Sequence, residues 1–371
     1  MRAAVFTMIG VMLAASAVAY DVNRTHLPEL DRTLCRKQVN VPDIGEFKTL
    51  KCDFHIHTVF SDGVVWPDAR VIEAWRDGLD AMAITDHIEK HPRKPNITGD
   101  DNSSYDIALS AAQAYNMLLI KGSEITRDMP HGHYNALFVT DSAALDVPDF
   151  FAAVDAAVKQ GAYIQWNHPG WVKQQPEVTL WQDVAQDLLG RGWLKGVEVF
   201  NSSDWYPVAL GWCIEKNLAV IAGTDMHGLT NAQYDTDGGH RPMTLVFAKE
   251  KTLDGIREAL FAARTAAWFS DQVAGRKEFL EPLFKNSVSA AAPHFVDKDG
   301  VRRISVSNQS DLTFCISGAG ADWNASTRLE PRSTNIIAVP GAATSLPITV
   351  TNFHTNLNET LATTLEIPAA K

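Results

Sequence analysis

The chain has 371 residues, 46% hydrophobic and 21% charged, with a formal net charge of −11. This is an ordinary composition for a globular protein in water, and the length suits one large domain with a smaller module better than three equal domains. The acidic balance excludes nucleic-acid binding through a broad basic surface, since phosphate contacts need clustered Lys and Arg.

Residues 1–19 have the pattern of an export signal. Arg2 gives a positive start, Ala3 to Ala15 an apolar run, and Ala17-Val18-Ala19 a small-residue cleavage site. The run is too short for a membrane span, and Tyr20 rather than Cys follows the cut, so no membrane anchor is expected. The expected location is secreted or periplasmic. Export permits disulfides, and the cysteines Cys35, Cys52, Cys213 and Cys315 allow three complete pairings, a Cys35–Cys52 bridge among them. Cys52 lies in the first apolar run and reads more simply as a small buried hydrophobe. Residues 20–50 are expected to be an extension packed on the domain that follows.

From residue 51 to about residue 270, short apolar runs alternate with amphipathic stretches. The predicted strands are 52–57, 81–85, 117–122, 135–139, 162–166, 196–200, 218–222 and 243–247; several are wholly apolar, as parallel strands covered by helices are. Helices are predicted over 67–77, 105–116, 150–160, 180–189 and 207–215, and another opens at the N-cap Thr252. Such alternation indicates a (β/α) barrel or an open doubly wound sheet, assigned here to residues 51–284. Residues 285–371 change texture to short β-branched runs separated by Asn, Gly, Ser or Pro, which predicts a small all-β, sandwich-like C-terminal domain.

Metal-ligand residue types recur at or beside the ends of the apolar runs. In CDFHIHT, strand alternation puts Asp53, His55 and His57 on one face and Cys52, Phe54 and Ile56 on the other, so two imidazoles can chelate one ion. Asp62 follows in an SDG turn, His87 closes AMAITDH, and Glu124 ends LLIKGSE. A Glu there needs a strong partner, because an unpaired buried carboxylate is costly. His133 directly precedes a strand and is preferred to His131. His168 precedes a Pro-Gly turn, and Asp225 and His227 close VIAGTDMHG two residues apart. Imidazoles and carboxylates gathered this way point to a multinuclear metal site.

The order H-x-H, SDG, TDH, G-x-E, GH, HPG and TDxH, over about residues 50–270, resembles the PHP (polymerase and histidinol phosphatase) family. DHIEKHP, GSEIT, GHYNALF and VEVFNSS, with the signal and the β tail, resemble its secreted phosphodiesterases. The resemblance implies a distorted (β/α)7 barrel, TIM-like but one unit short, in which 243–247 is an extra edge strand or part of a loop. It also implies a trinuclear site. One metal would take His55, His57, Glu124 and Asp225, a second Asp62, His87 and His227, and a third Glu124, His133 and His168. Two to three divalent transition-metal ions (Mn, Zn or Fe) are expected; Asp62, where some members have His, shifts the donor set towards manganese or iron without fixing the metal.

The implied reaction is hydrolysis of a small-molecule phosphate ester by a metal-bridging hydroxide, with a diester favoured over a monoester. Glu124 would serve it as the bridging ligand and Asp225 as a ligand of the first metal, and Asp86, beside His87, would orient a ligand or a water. Arg93, Arg127, Trp171 and Asn201 lie in loops after site-bearing strands and are candidates for substrate contact; for Arg93 and Arg127 a plain surface charge is the competing reading. Two rival readings stand: a metal-dependent hydrolase of amidohydrolase type, whose barrels also open with H-x-H, and a non-catalytic module. The oligomeric state and natural substrate are not legible.

Overall fold

The alternation seen in the sequence becomes strand and helix in the computed structural model, which describes residues 24–31, 33–296, 298–318, 325–339 and 343–369. The export signal at 1–19 lies outside the described residues. The chain divides into two units, residues 1–35 and 36–371. In the first, the described residues make a single turn, Pro28–Leu30, with no buried side chain.

The second unit begins with the strands β1 (Lys48–Asp53), β2 (Ala81–Ile84), β3 (Leu118–Thr126), β4 (His133–Leu137), β5 (Tyr163–Trp166), β6 (Leu194–Asn201), β7 (Asp204–Trp205), β8 (Ala219–Gly223), β9 (Met243–Ala248), β10 (Thr265–Phe269) and β11 (Gln272–Gly275). Between them run α1 (Pro67–Arg76), α2 (Ser103–Ala114), α3 (Phe150–Lys159), α4 (Asp183–Gly190), α5 (Pro207–Glu215), α6 (Thr230–Gln233) and α7 (Leu253–Phe261). Thr252 caps α7, its side chain accepting from the Gly255 amide.

β1, β2 and β3 pair in parallel, as do β5, β6 and β8. β4 departs from the parallel expectation: it is antiparallel to both β3 and β5. The six residues from Arg127 to Gly132 are too few for the crossover that parallel neighbours need. The run at Met243 is neither an edge strand nor a loop. As β9 it lies between β1 and β10, antiparallel to both. Beside β8, threonine hydroxyls replace a ladder: the Val220 amide donates to Thr265 and the Ala222 amide to Thr244, each at 2.9 Å.

One core cluster joins Cys52, Phe54, Ala81, Ala83, Ile120, Ile221 and Val246, and α7 adds Ile256, Ala259 and Leu260. Ile56 instead joins Val71 and Ala74 of α1 in a second cluster. The period-two reading of CDFHIHT therefore fails in part. The β1 ladder ends at Asp53, and the chain leaves the regular pleat before His55. Asp53 does not face the site. Its carboxylate accepts from Arg241 at 2.7 Å and from the Thr224 hydroxyl at 2.6 Å.

The tail follows α8 (Lys277–Ser287), a helix hidden from the sequence reading by Pro282 within it. β12 (Val288–Ala290), β13 (Phe295–Val296), β14 (Arg302–Asn308) and β17 (Thr334–Val339) make one antiparallel sheet. β15 (Phe314–Gly318), β16 (Ser326–Leu329), β18 (Ser345–Asn356) and β19 (Glu359–Glu366) pair antiparallel, and β18 joins β11 in parallel, continuing the large sheet. Ile304, Val306 and Ile337 of the first sheet share a core with Phe314, Ile348 and Leu361 of the second. All four cysteines are free, with Cys52 and Cys213 buried, so no Cys35–Cys52 bridge is present.

Beside Cys52, Asp80 precedes β2 and is 4% exposed. It accepts from Lys51 Nζ at 2.7 Å, Lys251 Nζ at 2.6 Å and Arg36 at 3.2 Å. Burial pushes its carboxyl up, but the cations outweigh burial and hold it below the usual range. A depressed folded-state pKa gives stability that is present above the unfolded value, about 3.9, and is lost as pH falls through the folded one. The gap in urea midpoint between wild type and Asp80→Asn is expected to be full at pH 6 and to shrink below about pH 4. An unchanging gap would show that Asp80 acts through packing alone.

Candidate metal centre

Two adjacent loops, after β1 and after β8, build half the site. Ile56 and Met226 face each other in a parallel bridge, the His57 amide donates to Met226 O at 3.0 Å, and both apolar side chains are fully buried. Their flanking residues, His55 and His57 on one loop and Asp225 and His227 on the other, are thereby brought together. Asp225 Oδ1 lies 3.0 Å from His57 Nε2 and 3.3 Å from His55 Nε2. Asp225 (φ 52) and His168 (φ 29) both sit in the left-handed region, which non-glycine residues adopt at a cost of order 1–3 kcal/mol where surrounding structure compels it.

The β2 and β3 loops supply the second half, held by a His87–Glu124 bridge. Glu124 is fully buried and central. Its Oε2 lies 3.3 Å from Nε2 of both His55 and His57 and 3.0 Å from His87 Nδ1. Its Oε1 lies 2.9 Å from His133 Nδ1 and 3.7 Å from His168 Nε2. Asp62 approaches from the SDG turn, its Oδ1 2.9 Å from His227 Nε2 and 3.4 Å from His87 Nε2. Gly63 is needed there, because a Cβ would meet the His57 and Thr58 carbonyl oxygens at 2.8 Å. The His57 ring lies between those of His87 and His227, with centroids 4.4 and 4.1 Å away.

All nine residues thus meet in one cluster. Three subsets have donor atoms within 4.8 Å of one another: His57, Asp62, His87 and His227; His55, His57 and Asp225; and His55, Glu124 and His168. The third differs from the expected set by having His55 where His133 was assigned. His131 packs its ring 4.8 Å from that of Phe150.

This donor set fits metal ions. Two ligands each about 2.1 Å from one ion, at 90–109°, stand about 3.0–3.4 Å apart, the spacing of most contacts above. His57 Nε2, Asp62 Oδ1, Glu124 Oε1, His133 Nδ1 and His168 Nδ1 are buried and make no hydrogen bond. Buried polar atoms rarely lack partners, and cations would satisfy His57 Nε2, Asp62 Oδ1, Glu124 Oε1 and His133 Nδ1; His168 turns its other ring nitrogen, Nε2, towards the cluster.

Without an ion, the cluster shares protons. Burial pushes Glu124 and Asp225 up, but the surrounding imidazoles win and hold both carboxyls well below their usual range. Against burial, Asp225, Glu198 and Glu124 raise His55 well above 6.5; against burial, Glu124 and Asp62 push His87 up to about 10. Burial and the neighbouring His87 lower His57. Ligation displaces such protons, so ion affinity must fall as pH falls.

The other candidates separate. Asp86 accepts from the Thr58 amide at 2.6 Å, the Thr58 hydroxyl at 2.7 Å and Ser61 Oγ at 2.6 Å, so it clamps the His57 loop. Asn201 is buried and donates to Glu198 at 2.7 Å, which removes it from substrate contact. Arg127 is committed to Glu89 and to the Val147 carbonyl, and Arg93 donates to Ser61 O at 3.1 Å. Trp171 does reach the cluster, its ring 5.6 Å from that of His133 and 5.4 Å from that of His168.

Two contributors escaped the sequence reading. Lys90, its side chain 57% exposed, pairs with Asp62 at the edge of the cluster. Glu198, fully buried, accepts from His55 Nδ1 at 2.8 Å; its only sequence signal is a carboxylate inside the apolar run GVEVF. A separate cleft of about 1070 Å³, lined by Tyr234, His240, Trp268, Asp271 and Arg328 among others, contains none of the nine. Of its cations, Arg328 pairs with Asp271 and Arg332 with Asp311, each at 2.6 Å, while Lys37 donates to the Thr236 and Gly239 carbonyls.

The chain is similar to a solved two-domain protein of Bacteroides vulgatus described as containing a predicted PHP-like metal-dependent phosphoesterase. The two share 40% identity over 91% of this chain and 100% of that one, with a TM-score of 0.86. A candidate metal-dependent phosphoesterase of Bifidobacterium adolescentis gives 18% identity over 50% of this chain and 94% of that one, with a TM-score of 0.39. An amidohydrolase of Chromobacterium violaceum gives 15% over 48% of this chain and 88% of that one, with a TM-score of 0.37. No family model matches the chain. No curated protein matches it either.

Proposed function

Because the chain belongs to the PHP-like metal-dependent phosphoesterases, we propose that its nine-residue cluster holds two to three divalent transition-metal ions and hydrolyses phosphodiesters of small organic alcohols. The observation that carries the reading is the convergence of buried donor atoms around Glu124, four of which face the cluster without hydrogen bonds. Glu124 would be shared between ions, with His57, Asp62, His87 and His227 on one side and His55, His133, His168 and Asp225 on the other. Five-membered rings and carboxylates in this mixture suit Zn, Mn or Fe.

When bound, the ions supply Lewis acidity, which acidifies water and offsets phosphoryl charge. The protein does the rest. Asp86 fixes the His57 loop, Trp171 walls the His133 side, and Lys90 offers a cation beside Asp62. A diester is favoured because few cations on these loops are free for phosphate: Arg127 is held by Glu89, Arg93 donates to a carbonyl, and Lys90 is shared with Asp62. A singly charged phosphate needs fewer free cations than a doubly charged one.

A bis(aryl) phosphate, an aryl phosphate and an aryl acetate, each with and without chelator, test the reading. Metal-dependent cleavage is expected for the phosphates, with the diester faster. Cleavage of the acetate alone would overturn it in favour of an amidohydrolase-type activity.

Two further points belong to the proposal. The parallel β1–β3 and β5–β6–β8 groups, joined through β4 and flanked by threonine bonds beside β8, support a distorted (β/α)7 barrel. The Ala17-Val18-Ala19 pattern supports export to the periplasm or medium. N-terminal sequencing of the native protein is expected to begin near Tyr20; retention of Met1 would count against export.

A further inference from the structure

We propose that Glu198 is a positioning residue that locks His55 in the tautomer able to bind metal and fixes His168 beside it, an inference that rests on the metal-centre reading. Glu198 is fully buried on β6 and carries no ligand role in the expected sets. Its Oε1 faces His55 Nδ1 at 2.8 Å. Its Oε2 accepts from the His168 backbone amide at 2.8 Å and from Asn201 Nδ2 at 2.7 Å.

A carboxylate only accepts, so the proton on His55 Nδ1 is held by Glu198, and Nε2 is the nitrogen that gives up its proton to present a lone pair to an ion. That lone pair points where Glu124 Oε2 and Asp225 Oδ1 converge, each 3.3 Å away. Asn201 Nδ2 also lies 3.4 Å from His55 Nδ1, but both groups donate, and the shorter contact is to Glu198. One carboxylate thereby orients an imidazole from the β1 loop and a backbone amide of the His168 turn.

The space is reserved for this pair. Gly223 on β8 faces it, and a Cβ there would meet Glu198 Oε1 at 2.2 Å and His55 Cβ at 3.0 Å. Any other residue would displace the carboxylate.

The consequence is specific for Glu198→Gln, which keeps the shape. The His168 amide cannot turn round and still requires an acceptor, so the glutamine oxygen must take the Oε2 position. Its NH2 then faces His55 Nδ1 and donates to it. His55 is forced to carry its proton on Nε2, where it cannot ligate.

Histidine-ring nitrogen NMR of the metal-free protein, at a pH high enough to leave His55 neutral, reads this directly, with His55→Gln identifying the signal. Wild type is expected to show Nδ1–H at His55 and Glu198→Gln to show Nε2–H. Chelator competition with Zn2+ or Mn2+ should then show affinity about 10- to 100-fold weaker in Glu198→Gln at an unchanged metal-free melting temperature. Glu198→Asp, shorter but still only an acceptor, should weaken affinity without inverting the tautomer, and it serves if the Gln variant does not fold. Nε2–H in wild type, or wild-type affinity in Glu198→Gln, would overturn the proposal. If wild type bound no ion, the metal reading would fail, yet the tautomer comparison would still decide the role of Glu198.

Discussion

His57→Ala is expected to remove at least one bound ion and to lower phosphoesterase turnover by about a thousandfold or more. His57 belongs to two of the three donor groups, and its Nε2 is buried, without a hydrogen bond, between Glu124 and Asp225. Removing the ring leaves two carboxylates facing each other with less cation between them. Their mutual repulsion makes the remaining ligands poorer as well. Chelation of the wild-type protein should reproduce the loss, and added metal should reverse it. Ion retention should also decline as pH falls, since His55 and His87 must give up protons to ligate. His131→Ala is the matched control. Its ring stacks on Phe150 rather than entering the cluster, so metal content should be unchanged and turnover little altered. Elemental analysis of the purified variants decides. A His57→Ala protein with full metal content would sink the assignment.

Most of the nine ligand-type residues were legible because they lie at or near strand ends, which hydrophobic periodicity marks; Asp62, in its SDG turn, and Glu124, within β3, are the exceptions. The strands from β1 to β9 were visible for the same reason, except the two-residue β7. What was not legible is what depends on pairing partners. β10 and β11 follow α7 so closely that Thr265–Gly275 reads as one irregular stretch, and only the Ser270–Asp271 turn separates them into a hairpin. The orientation of β4 depends on a short connection whose meaning appears only once β3 is known to extend to Thr126. Asp53 was misplaced because alternation was carried past the last ladder residue of β1. Glu198 was missed, and Asn201 was taken for a substrate contact, because no local pattern shows that a carboxylate in an apolar strand faces His55 from a strand 143 residues away. Arg127 carried the charge expected of a substrate contact, but Glu89 had already taken it.

Arg241→Met is expected to destabilise the metal-free protein by about 3–5 kcal/mol, the range found when one partner of a buried ion pair is removed. Arg241 is 1% exposed and donates from Nη2 to Asp53 Oδ2 at 2.7 Å and to the Thr224 hydroxyl at 3.2 Å. A second contact, to Asp77, is longer at 3.4 Å. Asp53 also accepts from the Thr224 hydroxyl and, at 3.2 Å, from the His55 amide. Loss of the guanidinium would leave a fully buried carboxylate with hydrogen bonds but no counter-charge. Asp53→Asn combined with Arg241→Met should recover part of the loss, because the charge is then removed on both sides. Urea unfolding of the chelated proteins measures both, and a wild-type midpoint for Arg241→Met would refute the prediction. The network has a functional side too. Asp53 and Thr224 are the residues from which the His55 and Asp225 loops depart, so Arg241 ties together the two strand ends that carry four of the nine donors. Arg241→Met should therefore weaken metal retention even under conditions where the variant remains folded, although the guanidinium itself makes no contact with any of the nine.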